Sequence, residues 1–135
     1  MKTSRLTPKM LETLNNCAAQ YVIGQVIPGV YSSDLTGGFD GCSYSTLRAL
    51  ARRGLVTRIA DTCGCVETYY LTDDGVVAAE RAILLNVKEH MIRAERYAAS
   101  PAPGISSAGR EMLEACKRVI VDLAKAKEAL ADRAA

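Results

Sequence analysis

The chain has 135 residues, of which 49% are apolar, and it carries 17 basic against 15 acidic side chains. This length fits one domain with a hydrophobic core, or one small domain with a helical extension. No run of about 18 or more apolar residues is present, and the charged N-terminus lacks the apolar stretch of a signal peptide. We therefore expect a cytoplasmic protein, and the net charge of +2 does not by itself favour a nucleic-acid partner.

A first helix is predicted over residues 8 to about 19. Thr7 is a good N-cap, Pro8 suits the first helical position, and the apolar residues recur at helical spacing. Residues 20–31 then change to β-branched and aromatic side chains with Gly and Pro interruptions, which predicts a short strand or extended segment. Residues 32–42 are rich in turn formers, so at most one helical turn is expected there.

The stretch from Ser43 to Ile59 carries the strongest local pattern. Ser43 is a good N-cap and Gly54 is a good stop, which predicts a helix over about 44–53. One face of this helix is apolar, and small residues and arginines point the other way. The apolar face holds Leu47, Leu50 and Ala51, and the opposite face holds Ser45, Arg48, Ala49 and Arg52. Four arginines (Arg48, Arg52, Arg53 and Arg58) and no acidic residue lie between positions 43 and 58.

Two short strand patterns follow this helix, at residues 55–60 and 67–71, and the residues between them include a glycine. This spacing predicts a β-hairpin. Thr72 can then cap a long helix that continues to about Ala99, with acidic residues in its first turn where the helix dipole favours anions.

The segment Ser100–Gly104 predicts a break, and a last helix is expected from Ser106 or Ser107 to about Ala131. Its apolar residues step by four and three, as in a coiled coil. They are Met112, Cys116, Val119, Leu123, Ala126 and Leu130. A lone helix with such a stripe must pack on something, either the preceding long helix or the same region of a second subunit.

An odd number of cysteines, five, argues against a disulfide framework in an intracellular chain. Cys17 and Cys116 lie in helical apolar patterns and are expected to be core thiols. Cys63 and Cys65 are expected at the hairpin tip, where they form either a redox switch or a tip without a special function. Their spacing is unlike that of structural zinc sites. His90 is expected on a helix surface or at an interface. With one histidine, no Ser-His-Asp set is available, so we predict neither an enzyme nor a cofactor or metal site.

The residues Ser45–Ile59, STLRALARRGLVTRI, followed by Tyr69–Glu80, YYLTDDGVVAAE, resemble the MarR-like and PadR-like winged helix-turn-helix transcription regulators. In those families a recognition helix ends in a Gly-Leu-Val step into the wing, here Gly54-Leu55-Val56. The wing returns through Leu-Thr-x-x-Gly, here Leu71 to Gly75. The likeness covers about residues 6–99. It implies a mainly α-helical fold with a small β-hairpin wing and long C-terminal helices.

The resemblance also implies a function, a sequence-specific DNA-binding repressor or regulator that acts as a homodimer on double-stranded DNA. Residues 1–75 would form the DNA-binding domain and residues 76–135 the helical dimerisation region. The implied major-groove residues are Ser45, Thr46, Arg48, Ala49 and Arg52, with Arg53 and Arg58 nearer the phosphate backbone. A small-molecule effector is not indicated by any residue pattern.

Two other functions remain open from the residues. The expected wing tip, Asp61–Val66, has acidic and cysteine side chains in place of the basic ones that usually enter a minor groove. That composition also suits a winged-helix adaptor that binds a protein rather than DNA. A third hypothesis is a thiol-responsive regulator that uses Cys63 and Cys65.

Overall fold

The computed structural model describes residues 5–27, 35–36, 43–60 and 67–134. These residues form a mainly helical molecule with a small antiparallel sheet. None of its helices is both long and apolar enough to cross a lipid bilayer, within these described ranges. The elements in chain order are α1 (Pro8–Val26), β1 (Leu35–Thr36), α2 (Tyr44–Arg52), β2 (Val56–Ala60), β3 (Glu67–Leu71), α3 (Asp73–Ala78), α4 (Glu80–Ala98) and α5 (Pro103–Ala134).

Among the described residues, the sheet has three strands in the order β1-β3-β2, and both pairings are antiparallel. Strands β2 and β3 form the predicted hairpin, with Val56 opposite Leu71 and Ile59 opposite Thr68. Strand β1 adds to the other side of β3, where its Leu35 pairs with Tyr69. A chain segment from before α2 is thus joined to the hairpin that follows α2.

The first helix is longer than the sequence pattern predicted. Residues 20–26 belong to α1, so the expected extended segment is wrong over this range, and residues 28–31 lie outside the described part. Ala18, Val22 and Val26 are almost completely buried and step by four along the helix. Because this stripe packs into the main core, burial outweighs the β preference of the branched side chains.

The expected turn-rich segment contains a strand at its described positions. Leu35–Thr36 form β1 where at most one helical turn was expected, and the remainder of 32–42 lies outside the described part. A two-residue strand has no pattern of its own, since its conformation is set by pairing with β3.

The predicted helix after the hairpin is present but divided in two. Thr72 is its N-cap as expected, and its hydroxyl accepts a hydrogen bond from the Gly75 amide at 3.0 Å. Ala79 leaves the helical conformation, with φ −100° and ψ 14°, and separates α3 from α4. The last helix starts earlier than expected, at Pro103, because proline suits a first helical position.

The described apolar side chains form two clusters. The larger cluster joins α1, α3, α4 and α5, and it includes the coiled-coil-like residues of α5 from Met112 to Ala126. The long helices α4 and α5 therefore pack on each other within one chain. This confirms the first alternative for the apolar stripe of α5, that it packs on the preceding long helix. An ion pair between Lys127 and Glu80, at 2.9 Å, lies on this pairing, and Arg133 and Asp74 pair nearby. The smaller cluster holds α2 against α1 and the sheet; its buried members are Met10, Cys17, Leu47, Leu50, Val56 and Tyr69.

The start of the hairpin is joined to the start of α3 at one tight junction. Gly54 has φ +78°, a left-handed conformation that ends α2 without a side-chain clash. The Thr72 hydroxyl donates to the Gly54 carbonyl at 2.6 Å, and the Thr72 amide donates to the Leu55 carbonyl at 3.2 Å. Gly75 packs directly on that carbonyl, because a Cβ built on Gly75 would lie 1.9 Å from the Leu55 oxygen.

His90 is buried rather than on the surface, with 7% of its area exposed. It continues the core-facing row Ile83, Val87 and Ala94 of α4. Its Nδ1 has no hydrogen-bond partner among the described residues. Burial lowers the pKa of His90 below the ordinary value of 6.5, the positive charge of Arg93 lowers it further, and Glu89 opposes both.

We predict that Gly75→Ala destabilises the protein even though alanine is the better helix former. The added Cβ meets a backbone oxygen held by Thr72, so the hairpin and α3 must move apart. Overpacking of this kind lowers the free energy of unfolding by about 1–3 kcal/mol, measured by urea denaturation.

Gly104→Ala is the matched control for this substitution. Gly104 is exposed in the first turn of α5, and a Cβ there has nothing within 4 Å. This change should raise the free energy of unfolding by about 0.4–1 kcal/mol. A Gly75→Ala protein that is as stable as the wild type would contradict the close packing at the junction.

The single histidine of the chain predicts an acid-sensitive stability. As pH falls below 6.5, the unfolded chain binds a proton at His90 that the folded chain resists because its pKa is lowered. The contribution of His90 to the free energy of unfolding should therefore be constant well above that pH and should become less favourable below it, down to the folded-state pKa. Urea titrations across this range should show the fall in the wild type and a much weaker one in His90→Leu. Equal pH slopes for the two proteins would show that His90 is not the cause.

Candidate nucleic-acid interface

Helix α2 is held by its apolar face. Leu47 and Leu50 are completely buried, and they pack in the smaller cluster with Cys17 of α1 and Tyr69 of β3. Cys17 and Tyr69 belong to two different elements, so α2 cannot rotate about its axis without separating its leucines from both of them. The direction of its outer face is therefore set by α1 and the sheet.

Both ends of α2 are closed by local hydrogen bonds. The Ser43 hydroxyl accepts from the Thr46 amide at 3.3 Å, as an N-cap does. At the other end the Arg53 amide donates to the Ala49 and Leu50 carbonyls at 3.3 and 3.2 Å. The predicted helix of about 44–53 is confirmed to within one residue.

The outer face of α2 carries the residues expected there, with one exception. Ser45, Arg48 and Arg52 are exposed. Ala49 is half-buried, and it packs on the edge of the smaller cluster. Small side chains beside long cationic ones allow a helix to lie close to a nucleic-acid groove while the arginines reach phosphates or base edges.

Thr46 is the exception, because it faces inward. Only 8% of it is exposed, and its hydroxyl lies 2.8 Å from the Ser43 hydroxyl. Thr46 therefore supports the start of α2 and is not placed to contact a groove. Threonine is small and carries both a methyl and a hydroxyl group, so sequence alone does not tell an inner from an outer position.

Arg53 and Arg58 lie beside this face rather than on it. Arg53 is the half-buried C-cap of α2, and Arg58 is exposed on β2 opposite Tyr69 of β3. Both follow α2 directly in the chain, on the junction and the hairpin. Of the predicted contact residues, α2 carries Ser45, Arg48, Ala49 and Arg52, and the segment that leaves α2 carries Arg53 and Arg58.

Tyr44 is a residue that the sequence analysis did not select. It occupies the first position of α2 and is 37% exposed. The Arg48 guanidinium carbon lies 5.7 Å from the centre of the Tyr44 ring, within the range of a cation–π contact. The signal in the sequence was their spacing of four, which places two helical side chains side by side.

The charge of this region is uniformly positive. Residues 43–60 contain four arginines and no aspartate or glutamate. At an ionic strength of about 0.1 M, charges act over about 10 Å, so an approaching polyanion responds to this local excess and not to the net charge of the chain. Such an arrangement can bind phosphates, because guanidinium groups donate charge-assisted hydrogen bonds to their oxygens.

The cysteines do not form a metal or redox site within the described residues. Cys17 and Cys116 are buried, as expected, and burial raises the pKa of Cys116. Cys63 and Cys65, the candidate redox pair, lie outside the described residues. Within the described ranges, no group of three or more His, Cys, Asp or Glu side chains is placed to hold a metal ion.

Comparisons of the chain with protein-family models, with curated proteins and with solved structures found no match. The function of this surface must therefore be argued from its own geometry and charge.

We predict that Ser43→Ala weakens the start of α2. The change removes the oxygen that accepts from Thr46 and faces its hydroxyl. The free energy of unfolding should fall by about 0.5–2 kcal/mol in a denaturant titration. Ser107→Ala, an exposed change inside α5, is the control and should alter stability by no more than about 0.5 kcal/mol. Equal stabilities of the two variants would show that the cap contributes nothing.

Proposed function

We propose that this protein is a winged helix-turn-helix regulator that binds double-stranded DNA as a homodimer and represses transcription. Helix α2 is its recognition helix, and the β2–β3 hairpin is its wing. The arginines of α2 contact base edges and phosphates in a major groove, and Arg53 and Arg58 contact the flanking backbone.

The order of elements supports the winged-helix part of this proposal. A helix, a short strand, the candidate recognition helix and a hairpin follow one another, and the early strand pairs with the returning strand of the hairpin. The resemblance implies this order of elements, and the pairing of β1 with β3 is an addition to it. Residues 32–34 and 37–42 of the turn-rich segment before α2, and the expected wing tip at 61–66, lie outside the described part.

The single observation that carries the DNA-binding part is the outer face of α2. Its arginines are exposed on a helix whose inner face is locked by Leu47 and Leu50. The helix is therefore held in one orientation, and its exposed face carries arginines with small side chains between them. In helix-turn-helix proteins, a helix of this kind enters the major groove with its N-terminal residues at the bases.

Exposed apolar side chains on the long helices support the homodimer. They are Leu84, Leu85 and Ile92 on α4 and Ile120 and Val121 on α5, each 41–56% exposed. Soluble monomers rarely present many large apolar side chains on neighbouring helices. A two-fold dimer through this region would place two copies of α2 on half-sites about one helical turn apart.

The test is DNA affinity as a function of salt. Binding of the wild type to a duplex pool, followed by fluorescence anisotropy, should weaken steeply as salt rises, because cations leave the phosphates on binding. Arg52→Ala should weaken binding by about 1–3 kcal/mol if Arg52 contacts a base, and should reduce the salt slope if it contacts a phosphate.

Arg110→Ala is the matched control. Arg110 is also exposed, and it lines a groove with Gln25 and Val26 at the opposite end of α1 from the residues that hold α2. It should leave affinity unchanged. A wild type whose binding does not depend on salt, or an Arg52→Ala protein that binds as the wild type does, would favour the protein-binding adaptor. Sedimentation of the free protein gives the mass, and a monomer at working concentration would exclude the homodimer.

A further inference from the structure

We infer that α4 packs on α4 of a second copy of this chain, antiparallel across a two-fold axis, and that Arg81 of each copy pairs with the partner's Glu95. The inference rests on the homodimer of the proposed function and adds to it the surface, the orientation of the two subunits and the residues that set it. The observation behind it is a row of exposed apolar side chains on α4 with opposite charges at its two ends.

One stripe of α4 faces away from the core of its own subunit. The row that faces the core runs from Ile83 to Ala94. On a helical wheel of about 100° per residue, a second set of side chains points away from that row, and every one of them is exposed. We call this set the outer stripe of α4; it consists of Arg81, Leu84, Leu85, Lys88, Ile92 and Glu95.

The centre of the outer stripe is largely apolar. Leu84, Leu85 and Ile92 are 41%, 56% and 48% exposed. The leucines lie in the first half of the stripe and Ile92 in the second, so antiparallel packing about an axis near Lys88 places the leucines of each copy on the partner's Ile92. The aliphatic stem of Lys88 can cover these side chains while its ammonium group reaches water. Burial of this apolar surface drives the association.

The two ends of the outer stripe carry opposite charges. Arg81 begins it and Glu95 ends it fourteen residues later, about 21 Å along the helix axis, which is too far for the two to pair within one helix. In an antiparallel dimer each Arg81 lies opposite the partner's Glu95, so an ion pair forms at both ends. A parallel dimer would place like charges together at both ends. The charges therefore select the antiparallel orientation.

Neither of these charges is paired within the described part of its own subunit. Opposite charges on one helix stabilise each other at a spacing of three or four residues. Arg81 and Glu95 have only apolar residues at those spacings, whereas Glu89 and Arg93 lie four residues apart on another side of α4. The ion pairs among the described residues also leave out Arg81 and Glu95. Both charges are thus placed for a partner outside the subunit.

The experiment is a charge-swap cycle, measured by sedimentation of the free protein over a concentration series. A contact of this length lies at the small end of specific interfaces, so both monomer and dimer should be measurable. Arg81→Glu and Glu95→Arg should each weaken dimerisation by about tenfold, because each places like charges at both ends of the interface. The protein that carries both substitutions should dimerise as the wild type does.

An equal mixture of the two single variants tests the orientation directly. In an antiparallel mixed dimer, both ends again join opposite charges, so the mixture should recover the affinity of the wild type. In a parallel dimer neither single variant would weaken association, and the mixture would associate more tightly than the wild type. That result would overturn the inference. Because Arg81 and Glu95 cannot touch within one helix, recovery reports a contact between subunits.

Arg118→Glu is the matched control. It makes the same change of charge at an exposed residue of α5 that lines a groove with Gln25 and Val26 of α1, away from the outer stripe. It should leave dimerisation unchanged. A control as weak as Arg81→Glu would show that net charge governs association and would overturn the inference. Single variants that dimerise as the wild type does, or a double variant as weak as the single ones, would also overturn it.

DNA binding by the same proteins separates this inference from the proposed function. A wild type that binds a duplex as a dimer, but shows no coupling between positions 81 and 95, would overturn the inference alone. A wild type that shows the coupling but binds no duplex would support the interface and overturn the DNA-binding function. A wild type that stays a monomer over the whole concentration series would overturn both the inference and the homodimer.

Discussion

The fold depends on the contact between the Leu55 carbonyl and the first turn of α3. That oxygen accepts from the Thr72 amide, and the backbone of Gly75 rests against it. Here the chain that leaves α2 meets the chain that returns from the hairpin, so this peptide group ties the end of α2 to the start of α3, in addition to the apolar contacts of α2 with α1. The two sequence motifs that resemble winged-helix regulators, Gly54-Leu55-Val56 and Leu71-Thr72-x-x-Gly75, are the two sides of this contact.

The two apolar clusters have different structural roles. The larger cluster stabilises the long helices, and the smaller one orients α2 and the sheet. Leu6 and Leu71 pack against both clusters, so the two clusters are in contact with each other through these side chains. The proposed DNA-binding surface can therefore vary at its exposed positions without disturbing the helical body, while its inner leucines are constrained from several directions.

Sequence reasoning succeeded where the decisive interactions are local. Ser43 and Thr72 each cap a helix through a bond to the amide three residues later, and such bonds follow from residue type and spacing. It failed at 20–26, where helical structure depends on burial against distant helices, and at β1, where it depends on pairing with β3. It also failed at Thr46, which faces the hydroxyl of the cap residue itself.

The inner and outer faces of α2 were predicted from the sequence, but the contacts along its outer face were not. The helical wheel of α2 separated the leucines from the arginines because its apolar residues recur at helical spacing. The helical wheel did not predict the orientation of Tyr44, since an aromatic residue at the boundary of a helix can belong to either face. His90 was misplaced for a related reason: an imidazole at a core-facing position looks polar in the sequence, and its burial shows only when the neighbouring helix is in place.

Arg58 has a further consequence through its place in the sheet. Within the described strands β2 is an outer strand, paired only with β3, and Ile59 beside Arg58 is 53% exposed. An outer strand with a bare apolar residue is prone to recruit strands of other molecules, and a charged side chain in its middle opposes such stacking. Neutralising Arg58 would thus invite aggregation as well as remove a cation. For this position, lost activity is interpretable only when the protein is shown to remain dispersed.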